Sequence, residues 1–236
     1  QRTKERRWSV IVIKNKGLRR AVSLAVPIMI LALALLSALF FDSRRHMIVS
    51  LTAAAMTVVL FISGFEKKST GTRRLVIVSV MTALCFLGRF IPILKPIMAL
   101  TIITGIYLGG ESGFLVGAMT AILTNFYFGQ GPWTVFQMFA WGIAGYCAGM
   151  FSTMLKKSRS LLIIYGALAG VVYSFIMDIW TVLWYNGNFE LKLYLAALVT
   201  AIPYTISYAV SSVLFLLIFA KPFGSKLERI KVKYGV

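Results

Sequence analysis

The segment from Asn125 to Trp141 carries polar and aromatic side chains between two long apolar runs. It holds the amide of Asn125, a Gly-Gln-Gly-Pro turn at 129–132, a second glutamine at Gln137 and two tryptophans. Glycine allows unusual backbone angles and proline prevents the incoming helix from continuing, so the turn separates two helices. The amides can donate and accept hydrogen bonds, and the aromatic rings offer broad apolar faces. Two interpretations follow: an interfacial turn with an aromatic belt, or a loop that caps a ligand.

Asp178 is the acidic residue that lies well inside an apolar run, at 160–184. It is about six residues from the predicted outer end of that run, or about 9 Å below it. A carboxylate at that depth is costly, so we expect it to face a wet cavity or a partner. The partner could be a ligand, Arg89 or a tyrosine hydroxyl.

Aromatic residues recur on the last two apolar runs of the chain. Tyr204 and Tyr208 are four residues apart and share a helix face, and Pro203 can kink their helix. Aromatic residues at helical spacing commonly form a packed core, but with the nearby amides they could also bind a ring-bearing molecule with polar edges. The candidate substrate-binding residues are Asn125, Phe128, Gln130, Trp133, Gln137, Trp141, Tyr173, Asp178, Trp180, Trp184, Tyr204 and Tyr208.

The composition identifies an all-α, polytopic membrane protein. Hydrophobic residues make up 59% of the 236 residues and charged residues 14%, and the mean hydropathy is +0.83, far from the values of soluble domains. The net charge of +18 comes from basic residues beside and between apolar runs, which favours membrane topology and anionic lipid over nucleic acid. Cys85 and Cys147 lie inside apolar runs with no pairing or ligand pattern, so we expect no disulfide, metal or cofactor.

Hydrophobic runs predict eight transmembrane spans. The first two, at 22–41 and 47–65, form a hairpin with little polar content, and a basic linker at 66–74 follows. Six further runs lie at 75–94, 97–110, 112–128, 134–154, 160–184 and 193–220. The predicted units are a basic N-terminal segment (1–21), a hairpin with its linker (22–72), a six-helix domain (73–222) and a basic tail (223–236).

Most of the 25 basic residues fall on the side of the membrane that holds both termini. The positive-inside rule therefore predicts that both termini are cytoplasmic, facing anionic lipid. The loops at 92–96, 130–133 and 186–190 then lie together outside, where they could roof a pocket.

Small residues at helical spacing mark faces where helices can approach closely. Ser79 and Ala83 form such a pair in one span, and Gly113 and Gly117 form another. These faces can pack within the chain or against another membrane subunit, and the spacing leaves both possibilities open.

Recognisable enzyme motifs are absent from the sequence. It has no phosphate-binding loop, no His-Glu-x-x-His and no nucleophile elbow, and it contains a single histidine. We therefore predict a binding subunit for which partner subunits supply the energy of transport. The alternatives are a stand-alone proton-coupled carrier that uses Asp178, or a scaffold or sensor without a ligand.

Residues 73–220 resemble the substrate-binding (S) components of energy-coupling factor (ECF) vitamin transporters. The resemblance rests on Ser-Val-Met-Thr-Ala-Leu at 79–84, on the glycine-rich segment 109–121, and on 125–133 and 137–141. It implies a six-helix bundle in the bacterial cytoplasmic membrane, to which the hairpin is an addition. It also implies a vitamin bound near the outer face, and docking onto a transmembrane coupling subunit that is driven by two ATPases, which consume the ATP. Toppling of the whole subunit would then deliver the ligand.

The resemblance places the coupling-subunit interface at Ser79, Ala83, Gly113 and Gly117. The family's docking motif is usually alanine-xxx-alanine, and Ser79 replaces the first alanine. The Gly-Gln-Gly-Pro-Trp loop is similar to that of cobalamin-type members, and four tryptophans suit a large macrocycle. We therefore predict cobalamin or a related corrinoid as the ligand, with a smaller vitamin such as riboflavin or pantothenate as the alternative.

Overall fold

The computed structural model describes residues 15–39, 46–63 and 68–234, and all regular secondary structure in these ranges is α-helical. The all-α prediction is confirmed for this part of the chain. Residues 1–14, 40–45, 64–67 and 235–236 are not described, so most of the predicted N-terminal segment and most of the connection between the two hairpin spans lie outside it. The helices are α1 (Lys16–Leu39), α2 (His46–Ser63), α3 (Lys68–Gly88), α4 (Ile97–Leu108), α5 (Gly110–Phe128), α6 (Trp133–Met150), α7 (Ser152–Lys157), α8 (Arg159–Asn186), α9 (Leu191–Thr200) and α10 (Ile202–Tyr234).

Within the described ranges, α8 and α10 are long and apolar enough to cross a membrane. The count of eight spans and the cytoplasmic location of the termini stay predictions. One predicted boundary is wrong, because the run at 193–220 is divided at Ala201 into α9 and α10. Pro203 has no N–H to continue the hydrogen-bond ladder of α9, so the helix ends just before it. The predicted tail at 223–236 is also not separate, since α10 continues through Pro222 to Tyr234.

Helix α4 lies at the centre of the bundle. Eleven of its 12 residues are buried, and it packs against α3, α5, α6 and α10. A helix that is apolar on every side is expected to be surrounded by protein. Its length of about 18 Å is shorter than the hydrocarbon core of a bilayer, so its neighbours must complete the crossing.

Glycines bring α4, α5 and α6 into backbone contact. A Cβ atom on Gly145 of α6 would lie 2.6 Å from the carbonyl carbon of Gly113, and one on Gly105 would lie 2.0 Å from the carbonyl oxygen of Gly145. A Cβ atom on Gly117 would lie 2.5 Å from the carbonyl carbon of Trp141. Gly113 and Gly117 are therefore buried inside the bundle, and their prediction as coupling-subunit contacts is wrong. Small-residue spacing specifies close packing but not which helix supplies the partner.

The hairpin of α1 and α2 packs chiefly against α5 and α6. A polar contact with the bundle joins the hydroxyls of Ser23 and Tyr146, which are 2.5 Å apart. The hairpin is therefore part of one helical assembly with the bundle.

Candidate functional site

Three connections lie at the end of the bundle that the charge pattern predicts to be external: 89–96, 129–132 and 187–190. The first is held against α10, because Ser207 donates to the carbonyl of Ile93 at 3.2 Å and Ser211 donates to that of Lys95 at 2.7 Å. The second is closed by Gln130, whose amide donates to the Ile122 carbonyl at 2.9 Å and accepts from Thr134 at 2.9 Å. Gln130 therefore fixes the turn with both ends of its amide.

A continuous set of hydrogen bonds, here called the polar chain, joins Arg89, Asn125, Gln137 and Tyr173. Arg89 donates to Asn125 Oδ1 at 2.7 Å, and Asn125 Nδ2 donates to Gln137 Oε1 at 2.9 Å. Gln137 Nε2 then donates to the Tyr173 hydroxyl at 2.9 Å. Asn125 is fully buried and also donates to Thr134 Oγ1. The polar chain thus links the end of α3 to α5, α6 and α8.

Three rings beside the polar chain form what we call the aromatic stack. Trp141 and Tyr173 are stacked with an interplanar angle of 8° and a centroid separation of 5.5 Å. Tyr208 of α10 meets Tyr173 edge-on at 4.6 Å. The stack fills the space between α6, α8 and α10, and the buried rings of Trp141 and Tyr173 lie next to amide groups. Aromatic and amide side chains together are suited to planar, polar-edged ligands.

Arg89 is a member of the polar chain that is not among the site residues predicted from the sequence. Its guanidinium carbon lies 5.0 Å from the centre of the Phe128 ring and 5.6 Å from that of Trp141. It also donates to Thr124. Burial lowers the pKa of Lys95, and the charge of Arg89 lowers it further. The sequence feature that could have indicated this role is a lone arginine at the end of an apolar run. The positive-inside rule assigns such a position to an outer loop.

Asp178 is buried on α8, and its Oδ2 atom has no hydrogen-bond partner among the described residues. No ion pair joins it to Arg89 in that part of the chain. A buried carboxylate oxygen without a donor is costly. It therefore marks a position where a bound molecule could supply one.

A protein-family model described as ECF-type riboflavin transporter, S component, matches residues 69–221. The chain belongs to this family. No curated protein and no solved structure matched the chain in the other two comparisons. The predicted resemblance to ECF S components is confirmed, so the chain is a substrate-binding membrane subunit from a transporter family rather than an enzyme family. Membership implies a vitamin ligand and a coupling and ATPase module. The match spans α3 to α9 and most of α10, and therefore contains the whole polar chain.

The S component does not bring every predicted site residue to the polar chain. Trp133 and Trp180 pack together at 6.3 Å between ring centres, and Trp184 contacts Trp180 at 5.2 Å, but Trp184 is 47% exposed. Phe128 is also 47% exposed, and Tyr204 is 69% exposed. Tyr204 is therefore not covered by α8, whereas Tyr208 packs against Tyr173.

The predicted coupling residues Ser79 and Ala83 are exposed on α3 of the S component. They line an apolar groove of about 600 Å³ between α3 and α5, together with Leu75, Leu115 and other apolar residues. The Ser79 hydroxyl donates to the Leu75 carbonyl of its own helix at 3.0 Å, so it presents a small apolar surface to a neighbour. Docking of the coupling subunit at this groove stays a prediction.

Proposed function

We propose that this S component binds riboflavin, or a closely related flavin, at the polar chain and the aromatic stack. The stacked, nearly parallel pair of Trp141 and Tyr173, bordered by the amides of Asn125 and Gln137, is the observation that carries the proposal. Riboflavin has a flat tricyclic ring, an edge that alternates hydrogen-bond donors and acceptors, and a hydroxylated side chain. The description of the matching family model also names riboflavin.

Each part of the ligand has a chemical counterpart in the site. The ring lies parallel to Trp141, and ring–ring contact of this kind adds to the binding energy beyond area burial. Its polar edge meets the amide of Gln137, which can both donate and accept. A hydroxyl of the side chain donates to Asp178 Oδ2, which would satisfy the buried carboxylate.

Cobalamin is the competing ligand, and the tryptophans at positions 133, 141, 180 and 184 favour it. A corrinoid carries groups on both faces of a large ring, so it needs a wide opening. The rings of Tyr173 and Tyr208 are 4.6 Å apart, and those of Trp141 and Tyr173 are 5.5 Å apart. A flat ligand can replace one ring contact with little helix movement, whereas a corrinoid requires α6, α8 and α10 to separate. This difference favours riboflavin.

Titration of the purified, ligand-stripped chain against riboflavin, cobalamin and pantothenate tests the proposal. Riboflavin fluorescence should be quenched with saturation at one equivalent, and neither of the other vitamins should displace it. Saturable binding of cobalamin without binding of riboflavin would overturn the flavin assignment. Binding of none of the three would remove the proposed ligand site.

Uptake into liposomes tests whether the chain needs partners. We expect no uptake by this chain alone, and uptake once the coupling and ATPase subunits and ATP are added. Uptake by the chain alone that is lost in Asp178→Asn would instead support a proton-coupled carrier.

A further inference from the structure

A second cleft lies at the opposite end of the bundle, among α4, α7, α8 and α10. It has a volume of about 240 Å³ and a floor of aliphatic side chains that includes Ile103 and Leu216. Lys156, Arg159 and Lys221 also line it, and no acidic residue does. The cleft therefore combines an apolar interior with a positive mouth.

Lys156 is held in place at this mouth. Its Nζ atom lies 4.5 Å from the centre of the Tyr107 ring and 3.5 Å from Glu228 Oε1. The Glu228 side chain is 59% exposed, and an ion pair as exposed as this one is weak. The positive charge of Lys156 is thus positioned by its neighbours without being cancelled.

The three cations lie where two candidate membrane helices leave their apolar stretches. Helix α8 begins at Arg159, directly after Ser158, whose hydroxyl accepts from the Leu161 amide at 3.3 Å. The apolar part of α10 ends at Lys221. The mouth of the cleft is therefore at the depth of lipid headgroups, and its floor is at the depth of acyl chains.

We propose that this cleft binds an anionic phospholipid. The phosphate lies among Lys156, Arg159 and Lys221, and the upper part of one acyl chain covers the aliphatic floor. Basic clefts between membrane helices on the cytoplasmic side recognise lipid headgroups in this way. A soluble phosphate compound shares the headgroup chemistry but has nothing to place on the floor, which is why we assign a lipid. The inference does not depend on which vitamin is bound.

Native mass spectrometry of the full chain, released from nanodiscs of mixed phosphatidylglycerol and phosphatidylcholine, tests this site. The wild type should retain phosphatidylglycerol in preference to phosphatidylcholine. The double variant Arg159→Gln/Lys221→Gln should lose about five-fold of this preference for each charge, or about 25-fold in total. The matched control is Lys226→Gln/Arg229→Gln, which removes two exposed charges from the same helix end outside the cleft. Equal losses in both variants, or no preference in the wild type, would overturn the proposal.

The apolar half of the site has its own test. Ala220 lines the cleft, so Ala220→Phe should reduce phosphatidylglycerol retention about ten-fold with no change in charge. Thermal unfolding in pure phosphatidylcholine nanodiscs checks that the variant is folded, and Ala220→Leu replaces it if it is not. Competition with inorganic phosphate and glycerol phosphate separates the two sources of phosphate. If millimolar concentrations of either compound displace the lipid, the cleft is an anion site and the lipid proposal fails.

Discussion

Replacing Asn125 with leucine should destabilise the bundle far more than its single polar side chain suggests. Asn125 is fully buried on α5, accepts from Arg89 and donates to Thr134 and Gln137 of α6. Interhelical hydrogen bonds in membrane proteins contribute about 0.6 kcal/mol each on average, so the two bonds to α6 account for about 1.2 kcal/mol. A hydrogen bond to a charged group contributes about 1.5 to 3 kcal/mol. The expected loss is therefore about 3 to 4 kcal/mol, most of it from the lost hydrogen bond to the guanidinium of Arg89.

The assay is reversible unfolding in mixed micelles of sodium dodecyl sulfate and a mild detergent, followed by circular dichroism. Thr120→Val is the matched control, because Thr120 is equally buried on α5 and its hydroxyl donates to the Val116 carbonyl of its own helix. It should stay within about 1 kcal/mol of the wild type. A double-mutant cycle with Arg89→Met should then recover a coupling energy of about 1.5 to 3 kcal/mol. Equal destabilisation by Asn125→Leu and Thr120→Val, with no coupling to Arg89, would refute the polar chain.

Two further predictions concern the packing of the helices. Gly145→Ala should lower the free energy of unfolding by about 1 to 3 kcal/mol, because its Cβ atom would meet the backbone of Gly113 at 2.6 Å; an unchanged unfolding midpoint would contradict the close contact of α5 and α6. Arg74→Gln should raise hydrogen exchange of the amides at 109–112 about ten-fold, because Arg74 donates to Ser112 at 2.7 Å and lies 3.7 Å from Glu111. If mass spectrometry gives the same exchange at 109–112 for the wild type and the variant, Arg74 does not stabilise the connection between α4 and α5.

Side chains that meet at one end of the bundle could be predicted from the sequence. Alternating helix directions place the ends of α5, α6, α8 and α10 together, so Asn125, Gln137, Trp141, Tyr173 and Tyr208 converge as the spacing indicated. The turn at 129–132 was likewise defined by its glycines and proline. These features follow from local chemistry and from the order of apolar runs.

Features that depend on tertiary contact could not be predicted in the same way. The spacing of Gly113 and Gly117 indicates close packing but does not distinguish α6 from another subunit. From the sequence, Arg89 is predicted to be a cation of an outer loop. In the fold it donates a hydrogen bond to Asn125 at 2.7 Å. Tyr204 and Tyr208 share a helix face, but only the position of α8 determines which of them is covered.

Riboflavin affinity in a matched pair of tyrosine variants tests whether the ligand binds at the polar chain and the aromatic stack. Tyr173 and Tyr165 both lie on α8 and both bond to α6; Tyr173 accepts from Gln137 at 2.9 Å, and Tyr165 donates to the Ala144 carbonyl at 2.5 Å. Each phenylalanine substitution removes one hydroxyl, and a hydrogen bond contributes about 1 kcal/mol. The account predicts that Tyr173→Phe weakens riboflavin binding by about ten-fold, since it also frees Gln137 from its position, while Tyr165→Phe binds as the wild type does. Equal affinities for the two variants would contradict a ligand site at the polar chain and the aromatic stack.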